Sequence, residues 1–133
     1  MNLLLDTHVV LWSQTAPDNL GAAASKTLLA MQNKIFVSSV SALEFARHHA
    51  LGRLQFSNDV RTWFLEVVRH LQASVVPVDV DIAVEAYRLP DFDHKDPADR
   101  LLVATARLHD CQLVTADEKI LHYRHVKTVD ARR

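Results

Sequence analysis

Four acidic residues occupy positions from which their carboxylates would converge if the apolar runs beside them form parallel strands. The first, second and fourth come after short apolar runs, and the third opens the helical stretch that leads into the last run. Ligands of an open parallel sheet bind outside the carboxyl ends of its strands, so polar side chains at those ends are the first candidates for function. In chain order the four are Asp6, Glu44, Asp99 and Asp117.

Carboxylates gathered at one edge of a sheet repel one another, which raises their pKa values and costs stability unless a cation neutralises them. Carboxylate oxygens, without cysteine sulfur and without a histidine at ligand spacing beside them, suit hard ions such as Mg²⁺ or Mn²⁺ better than zinc. Two such ions about 3.5–4 Å apart can activate a water and stabilise the leaving oxygen of a phosphodiester. The four positions therefore indicate a metal centre for hydrolytic chemistry.

Helix capping is an alternative explanation for each acid taken singly. Asp6 and Asp117 each precede a helical stretch or turn, as N-cap residues do. The segment Ser41-Ala42-Leu43-Glu44 matches the S/T-x-x-E capping box, and Asp96 and Asp99 suit the positive end of a helix dipole. What capping does not require is that four carboxylates meet at one edge of the sheet.

The apolar periodicity predicts that strands and helices alternate along the whole chain. Short apolar runs predict strands at residues 3–5, 35–37, 75–78, 112–115 and, more weakly, 126–129. Helical spacing predicts helices near residues 7–12, 22–31, 41–51, 59–71, 81–87 and 98–108. Pro77 favours an edge position for its strand. The alternation favours an α/β fold of three layers, α/β/α, with a mainly parallel sheet of roughly five strands.

Residues 90–97 are the least regular part of the chain, because polar residues and two prolines interrupt the apolar pattern there. This composition predicts an exposed loop. Asp96 and Pro97 end the loop in the pattern of a helix start, with the aspartate as N-cap and the proline at the first helical position.

Length and composition restrict the class of protein. The 133 residues, 49% of them hydrophobic, predict one compact domain spanning residues 1–133. A net charge of −1 argues against a general basic surface, so any contact with nucleic acid must be local. The single Cys111 excludes a disulfide framework and a multi-cysteine zinc site, and the eight histidines form no H-E-x-x-H pattern. Without a membrane-spanning apolar segment or a leader pattern, we expect a cytoplasmic protein.

Four segments, in this order and spacing, carry a resemblance to a known family over essentially the whole chain. They are Leu3-Leu4-Leu5-Asp6-Thr7-His8, Val37-Ser38-Ser39-Val40-Ser41-Ala42-Leu43-Glu44, His94-Lys95-Asp96-Pro97-Ala98-Asp99-Arg100-Leu101-Leu102 and Leu113-Val114-Thr115-Ala116-Asp117. In these segments the chain resembles the PIN-domain nucleases, and more narrowly the VapC-like toxins whose genes usually accompany an antitoxin.

The resemblance implies a single PIN-like domain with a five-stranded parallel sheet of flavodoxin-like appearance, and cleavage of RNA, in tRNA or other structured loops, that depends on Mg²⁺ or Mn²⁺. By motif position, Asp6 and Asp99 would hold the main ion, and Glu44 would complete its shell partly through water. Asp117 would help hold a second ion or orient the attacking water. Asp96 is an extra nearby acid whose role the resemblance leaves open, with capping of its helix favoured over metal binding. The family also implies a homodimer and a cognate antitoxin whose C-terminal segment reaches the acidic pocket.

Basic side chains near these segments are candidates for contact with RNA phosphates, and each has the alternative of being only a solvated surface charge. The candidates are Arg47, Arg53, His94 and Lys95. Three departures from the pattern of similar toxins lie near the glutamate. Leu43 stands where an aromatic residue is common, His48 where a lysine is common, and Arg47 where an apolar residue is common. They leave open how RNA is held beside Glu44.

Three other classes of protein share part of this pattern. A haloacid dehalogenase-type phosphatase needs a second acid two residues after the first, and His8 stands there instead. A receiver-like phosphoacceptor domain would find its aspartate in Asp79 but lacks a lysine after the last strand, where Asp130 follows Val129. A catalytically silent PIN-like binding module is the third alternative, which the presence of all four acids disfavours.

Overall fold

The computed structural model describes residues 1–133, and its centre is a sheet of five strands that are all parallel to their neighbours. The spatial order is β3-β2-β1-β4-β5. The strands are β1 (Asn2–Leu5), β2 (Lys34–Ser38), β3 (Ser74–Val76), β4 (Gln112–Thr115) and β5 (Thr128–Asp130). The expected α/β fold with a parallel five-stranded sheet is confirmed. Pro77 follows β3 directly, and β3 is an edge strand as the proline predicts.

Seven α-helices and one short 3₁₀ helix, Pro17–Asn19, connect the strands. The α-helices are α1 (Thr7–Thr15), α2 (Ala22–Leu29), α3 (Ser39–Ala50), α4 (Val60–His70), α5 (Val80–Glu85), α6 (Pro97–Leu108) and α7 (Glu118–Leu121). Helix α6 begins as the sequence predicts, because Asp96 caps it and Pro97 is its first residue. None of the helices is both long enough and apolar enough to cross a bilayer.

Alternate residues of the central strand face two separate hydrophobic cores, which gives the three layers their order. Leu3 and Leu5 are fully buried in the core that contains Val9 and Phe64, from α1 and α4. Leu4 is equally buried but points to the opposite core, which α6 and α7 help to form. The sheet is therefore covered on both faces, as parallel sheets almost always are.

The capping box predicted at Ser41 is wrong. Helix α3 begins at Ser39 and its N-cap is Ser38, whose side chain accepts the N–H of Val40 at 3.0 Å. Ser41 is fully buried inside the helix, and Glu44 lies in the second turn, where it cannot return a bond to the cap. Capping is therefore not the reason for a glutamate at position 44.

The strand order reverses beside β1, and this is what creates the crevice of the molecule. The chain runs from β1 through β2 to β3 on one side of the sheet and then crosses to the other side of β1 to form β4 and β5. Neighbouring connections that leave in opposite directions open a crevice at the carboxyl ends of β1 and β4. Asp6 follows β1 and Asp117 follows β4, so the topology brings both acids to this crevice.

Candidate functional site

The crevice at the carboxyl ends of β1 and β4 is a pocket of about 460 Å³. All of the four predicted acids line it, and Asp96, His94 and Arg132 line it as well. Residues far apart in the sequence thus meet at one edge of the sheet, as the sequence predicts.

Asp6 is held on both of its oxygens. Oδ1 accepts the backbone N–H of Thr7 at 2.7 Å, which caps α1, and Oδ2 accepts the hydroxyl of Thr115 at 2.6 Å. The residue is only 6% exposed. Burial raises the pKa of this carboxyl, and the charge of Asp117 raises it further, against the effect of the two hydrogen bonds. Asp6 therefore both caps a helix and belongs to the acidic group.

Glu44 is positioned by a relay of hydroxyl groups between α1 and α3. The Thr7 hydroxyl donates to Glu44 Oε1 at 2.5 Å and lies 2.8 Å from the hydroxyl of Ser41, so the Ser41 hydroxyl is the donor of that second bond. Burial raises the pKa of Glu44, and the charges of Asp6 and Asp96 add to the shift. These contacts, rather than a capping box, orient the glutamate toward the pocket.

Asp99 has the most perturbed carboxyl of the site. Its pKa is raised to about 8, first by burial and then by repulsion from four carboxylates, which are Asp6, Asp96, Asp117 and Glu44. It lies in the first turn of α6, whose dipole favours a negative charge but does not offset the other effects. The acids therefore lie close enough together for their charges to favour the protonated form of Asp99.

Asp117 and Asp96 each use one oxygen for capping. Oδ1 of Asp117 accepts the N–H groups of Lys119 and Ile120 at the start of α7, and Oδ1 of Asp96 accepts the N–H of Ala98 at 2.9 Å. In each residue the other carboxylate oxygen is not used for capping. Capping and membership of the acidic group are therefore compatible in these two residues, as they are in Asp6.

His94 is closer to the acids than the sequence spacing revealed. Its Nε2 atom lies 2.7 Å from Oδ2 of Asp99 and 3.3 Å from Oδ2 of Asp117. The ligand atoms of these three residues lie within 4.8 Å of one another. The histidine precedes Asp99 by five positions across a loop, so neither helical nor strand periodicity could have placed it here.

Arg132 lines the same pocket and is not among the residues that the sequence indicates. Its backbone is held where the end of the chain passes the start of α2: Gly21 donates to the carbonyl of Ala131 and Ala23 donates to that of Arg133, both at 2.9 Å. A Cβ on Gly21 would lie 2.1 Å from the carbonyl carbon of Arg133, so only glycine allows this approach. Gly21, one of the two glycines in the chain, therefore allows the backbone beside Arg132 to take its position at the pocket.

The other basic candidates lie elsewhere. Arg47, Arg53 and Lys95 are exposed and do not line the pocket, so their contact with RNA stays a prediction. Arg100, a further basic residue near the acids, forms no ion pair with a carboxylate. Its guanidinium donates instead to the backbone carbonyls of residues 86, 92 and 94, at 2.7, 2.8 and 3.0 Å.

The donor set of the pocket fits a hard divalent cation. Its acidic donors are carboxylate oxygens, and positive charge would reverse the raised pKa values of Asp6, Glu44 and Asp99. The one nitrogen grouped with them is that of the His94 imidazole. No cysteine lines the pocket, and the only cysteine of the chain, Cys111, is buried in the core formed with α6 and α7. Oxygen ligands of this kind are typical of Mg²⁺ and Mn²⁺ sites.

Comparison with known proteins identifies the family of the chain. The family described as "PIN domain" matches residues 3–126. The chain is 33% identical over 127 residues to the protein named ribonuclease VapC22 of Mycobacterium tuberculosis, a match that covers 96% of this chain and 95% of that protein.

Solved structures with the same fold come from complexes of toxin and antitoxin proteins. A chain of VapBC2 from Rickettsia felis, solved with a DNA fragment from the promoter, has a TM-score of 0.68 at 17% identity and covers 97% of this chain and 98% of that one. A chain of VapBC-1 from nontypeable Haemophilus influenzae has a TM-score of 0.69 at 13% identity, with full coverage of both chains. Likeness at this level of identity shows the fold.

Proposed function

The chain belongs to the PIN-domain family, and we propose that it is a metal-dependent endoribonuclease that hydrolyses phosphodiester bonds in RNA. The observation that carries this proposal is the convergence of Asp6, Glu44, Asp99 and Asp117 on one pocket at the switch point of the sheet. A cluster that raises the pKa of a carboxyl to about 8 destabilises the charged state of the metal-free protein, which argues that the acids serve a ligand.

Asp6 and Asp99 are the acids proposed to hold the main cation, because they are the more buried of the acids that line the pocket. Glu44, oriented by the Thr7 hydroxyl, would complete the shell, partly through a water. Asp117 lies at the more exposed side of the pocket, where it would orient the attacking water or help to hold a second cation. Asp96 is proposed to act mainly as the cap of α6.

Mg²⁺ or Mn²⁺ is the proposed cofactor, and when bound it supplies a water activated for attack and positive charge for the phosphate oxygens. The residues of the chain supply orientation. Three of the four carboxylates, those of Asp6, Glu44 and Asp117, are held by hydroxyl or backbone donors and need little rearrangement on binding, which favours catalysis. Arg132, at the edge of the same pocket, is placed to attract the RNA phosphate.

The proposed substrate is a structured RNA, such as the loop of a tRNA, because the net charge of −1 provides no general basic surface for a long duplex. Arg47, Arg53, His94 and Lys95 are the candidate contacts. The proposed partner is a cognate antitoxin, since the relatives of the same fold are solved as toxin-antitoxin complexes. A homodimer acting in the cytoplasm completes the proposal.

Cleavage of RNA by the purified protein tests this function. We expect cleavage with Mg²⁺ or Mn²⁺, none in excess EDTA, and none by the variant Asp99→Asn, which should still fold because it removes a buried ionisable group and keeps the shape of the side chain. Circular dichroism of the variant supplies the control for folding. Full cleavage in EDTA, or by the folded variant, would contradict the proposal.

Expression in a bacterial host tests the proposed role as a toxin. Induction should stop growth, co-expression of the adjacent antitoxin gene should restore it, and Asp99→Asn should be harmless. Harmless expression of a protein that cleaves RNA in vitro would identify a PIN nuclease that is not a toxin. A folded protein that cleaves no RNA with any metal would instead support the alternative of a catalytically silent binding module.

The receiver-like alternative loses its main support in the structure. Asp79, its candidate phosphoacceptor, follows the edge strand β3 and caps α5 by accepting the N–H of Ile82 at 2.8 Å. It does not line the acidic pocket.

A further inference from the structure

The imidazole of His94 lies against two acids of the pocket, and its surroundings indicate what it does there. We infer that His94 is a positioning residue: its Nε2–H donates to Asp99 and Asp117 and orients both carboxylates for the cation, and His94 does not itself bind the cation. The inference rests on the proposed function, because it concerns the cation of that site.

The distances alone allow two arrangements. Separations of 2.7 Å and 3.3 Å between Nε2 and the carboxylate oxygens are those of hydrogen bonds. They are also the separations of neighbouring ligands on one octahedral ion, which lie about 3 Å apart when each is about 2.1 Å from the metal. The other ring nitrogen distinguishes the two arrangements.

Nδ1 of His94 faces a hydrogen-bond donor. The backbone N–H of Asp96 points at it, at 3.5 Å, so a neutral His94 would carry its lone pair on Nδ1 and its ring hydrogen on Nε2. A histidine that binds metal through Nε2 donates its Nδ1–H to a carbonyl, a carboxylate or a water. Here that position holds a donor, which disfavours ligation and leaves Nε2 as the donor to the two acids.

The loop that carries His94 is fixed from behind, as a positioning residue requires. Arg100 donates to the carbonyls of Phe92 and His94 and also to the carbonyl of Ala86, and its guanidinium stacks over the rings of Phe92 and Tyr87. The His94 ring packs beside that of Phe92, with 5.7 Å between the ring centroids. The side chain of His94 is only 14% exposed, so its ring has little freedom to move.

A donor in this place has a consequence for the choice of metal. If His94 only orients the acids, the cation meets oxygen ligands alone, and the site keeps its preference for hard ions. If Nε2 were a ligand, the mixed nitrogen and oxygen set would favour later transition metals such as Zn²⁺. The same histidine therefore decides the class of ion that the pocket selects.

Binding of Mn²⁺ to the full chain, measured by titration calorimetry, tests the inference. His94→Leu should weaken binding by about 10-fold or more, as loss of an outer-shell partner does. His94→Gln, which keeps an N–H donor at a similar reach, should recover most of the affinity. His122→Leu is the matched control, because it removes an imidazole that is 80% exposed just after α7, and it should bind like the wild type. Thermal melts of each variant establish that it is folded.

Pulsed electron paramagnetic resonance of the bound Mn²⁺ separates positioning from ligation. We expect no coupling to a directly bound nitrogen in the wild type. A strong nitrogen coupling that disappears in His94→Gln would make His94 a ligand and overturn the inference. Equal or tighter Mn²⁺ binding by folded His94→Leu would overturn it too, while leaving the proposed function intact. Failure of the wild type to bind Mn²⁺ or Mg²⁺ at all would overturn the proposed function and this inference with it.

Discussion

Asp59 at the start of α4 and Asp6 at the start of α1 have the same local role, since each accepts a backbone N–H of the helix that it caps. Each also accepts a threonine hydroxyl, from Thr62 at 2.7 Å and from Thr115 at 2.6 Å. Yet the pKa of Asp59 is lowered, chiefly by the hydrogen bonds from Thr62, whereas the pKa of Asp6 is raised, chiefly by burial.

The difference between these two helix starts shows that capping does not determine the electrostatics of an aspartate. Asp59 is exposed and has no carboxylate among the causes of its shift, so its hydrogen bonds dominate. Asp6 accepts equivalent hydrogen bonds, but its burial and the charge of Asp117 raise its pKa by more than those bonds lower it. A capping aspartate whose pKa is raised, although its hydrogen bonds lower it, therefore distinguishes the acidic pocket from an ordinary helix start.

The largest effect is expected on RNA cleavage, from the paired variants Asp6→Asn and Asp59→Asn. Asparagine is as good a cap as aspartate, so both helices should persist. Asp6→Asn removes a charge proposed to hold the cation, worth about 4 kcal/mol of transition-state stabilisation, and should slow cleavage on the order of 1,000-fold. Asp59→Asn should cleave at the wild-type rate. Similar rates for the two variants would mean that Asp6 is only a cap.

The dependence of stability on pH should also differ between the two regions. In EDTA, between about pH 4 and pH 8, native Asp99 keeps a proton that the unfolded chain loses, because its pKa is raised to about 8. Its contribution to the free energy of unfolding is therefore complete below about pH 4 and is lost as the pH rises to 8, at up to about 1.4 kcal/mol per pH unit. The pKa of Asp59 is lowered, so its contribution should make stability rise with pH, at pH values below the pKa that Asp59 has in the unfolded chain.

Urea unfolding at several pH values between 5 and 8 measures that slope. We expect Asp99→Asn to lessen the decline of stability with rising pH, and saturating Mg²⁺ to do the same in the wild type by favouring the charged carboxylates. A wild-type protein whose stability rises throughout this interval in EDTA would contradict the electrostatic account of the pocket.

The smallest effects are expected from the threonines that donate to the two aspartates. Thr115→Val leaves an oxygen of buried Asp6 without its donor and should lower the free energy of unfolding by about 1–3 kcal/mol. Thr62→Val removes the same hydroxyl from exposed Asp59, where water replaces it, and should change stability much less. Chemical denaturation of both variants makes the comparison, and equal losses would show that burial does not separate the two sites.

The parts of the fold that depend on local pattern were predictable from the sequence. The apolar runs of β1, β2 and β4 were placed closely, and Asp96 with Pro97 located the start of α6. The start of α3 was placed wrongly because Ser38, Ser39 and Ser41 all suit a cap. What distinguishes them is the end of β2 and the contact between Ser41 and Thr7, which lie 34 residues apart.

The acids of the site were predictable because the ends of parallel strands must meet at one edge. His94 and Arg132 were harder, since each depends on contacts that no local pattern encodes. The loop of His94 is held by Arg100, and the backbone of Arg132 is held by the close approach to Gly21. Residues on loops and at chain ends are positioned by the tertiary structure, and only the structure locates them.

Crystals of the protein grown with Mn²⁺ would test most directly whether the acidic pocket is a cation site, through anomalous scattering from the metal. We expect an anomalous peak in the pocket, about 2.0–2.3 Å from carboxylate oxygens of Asp6 and Asp99. Anomalous density that lies only outside the pocket, or no density at a Mn²⁺ concentration that supports cleavage of RNA, would contradict it.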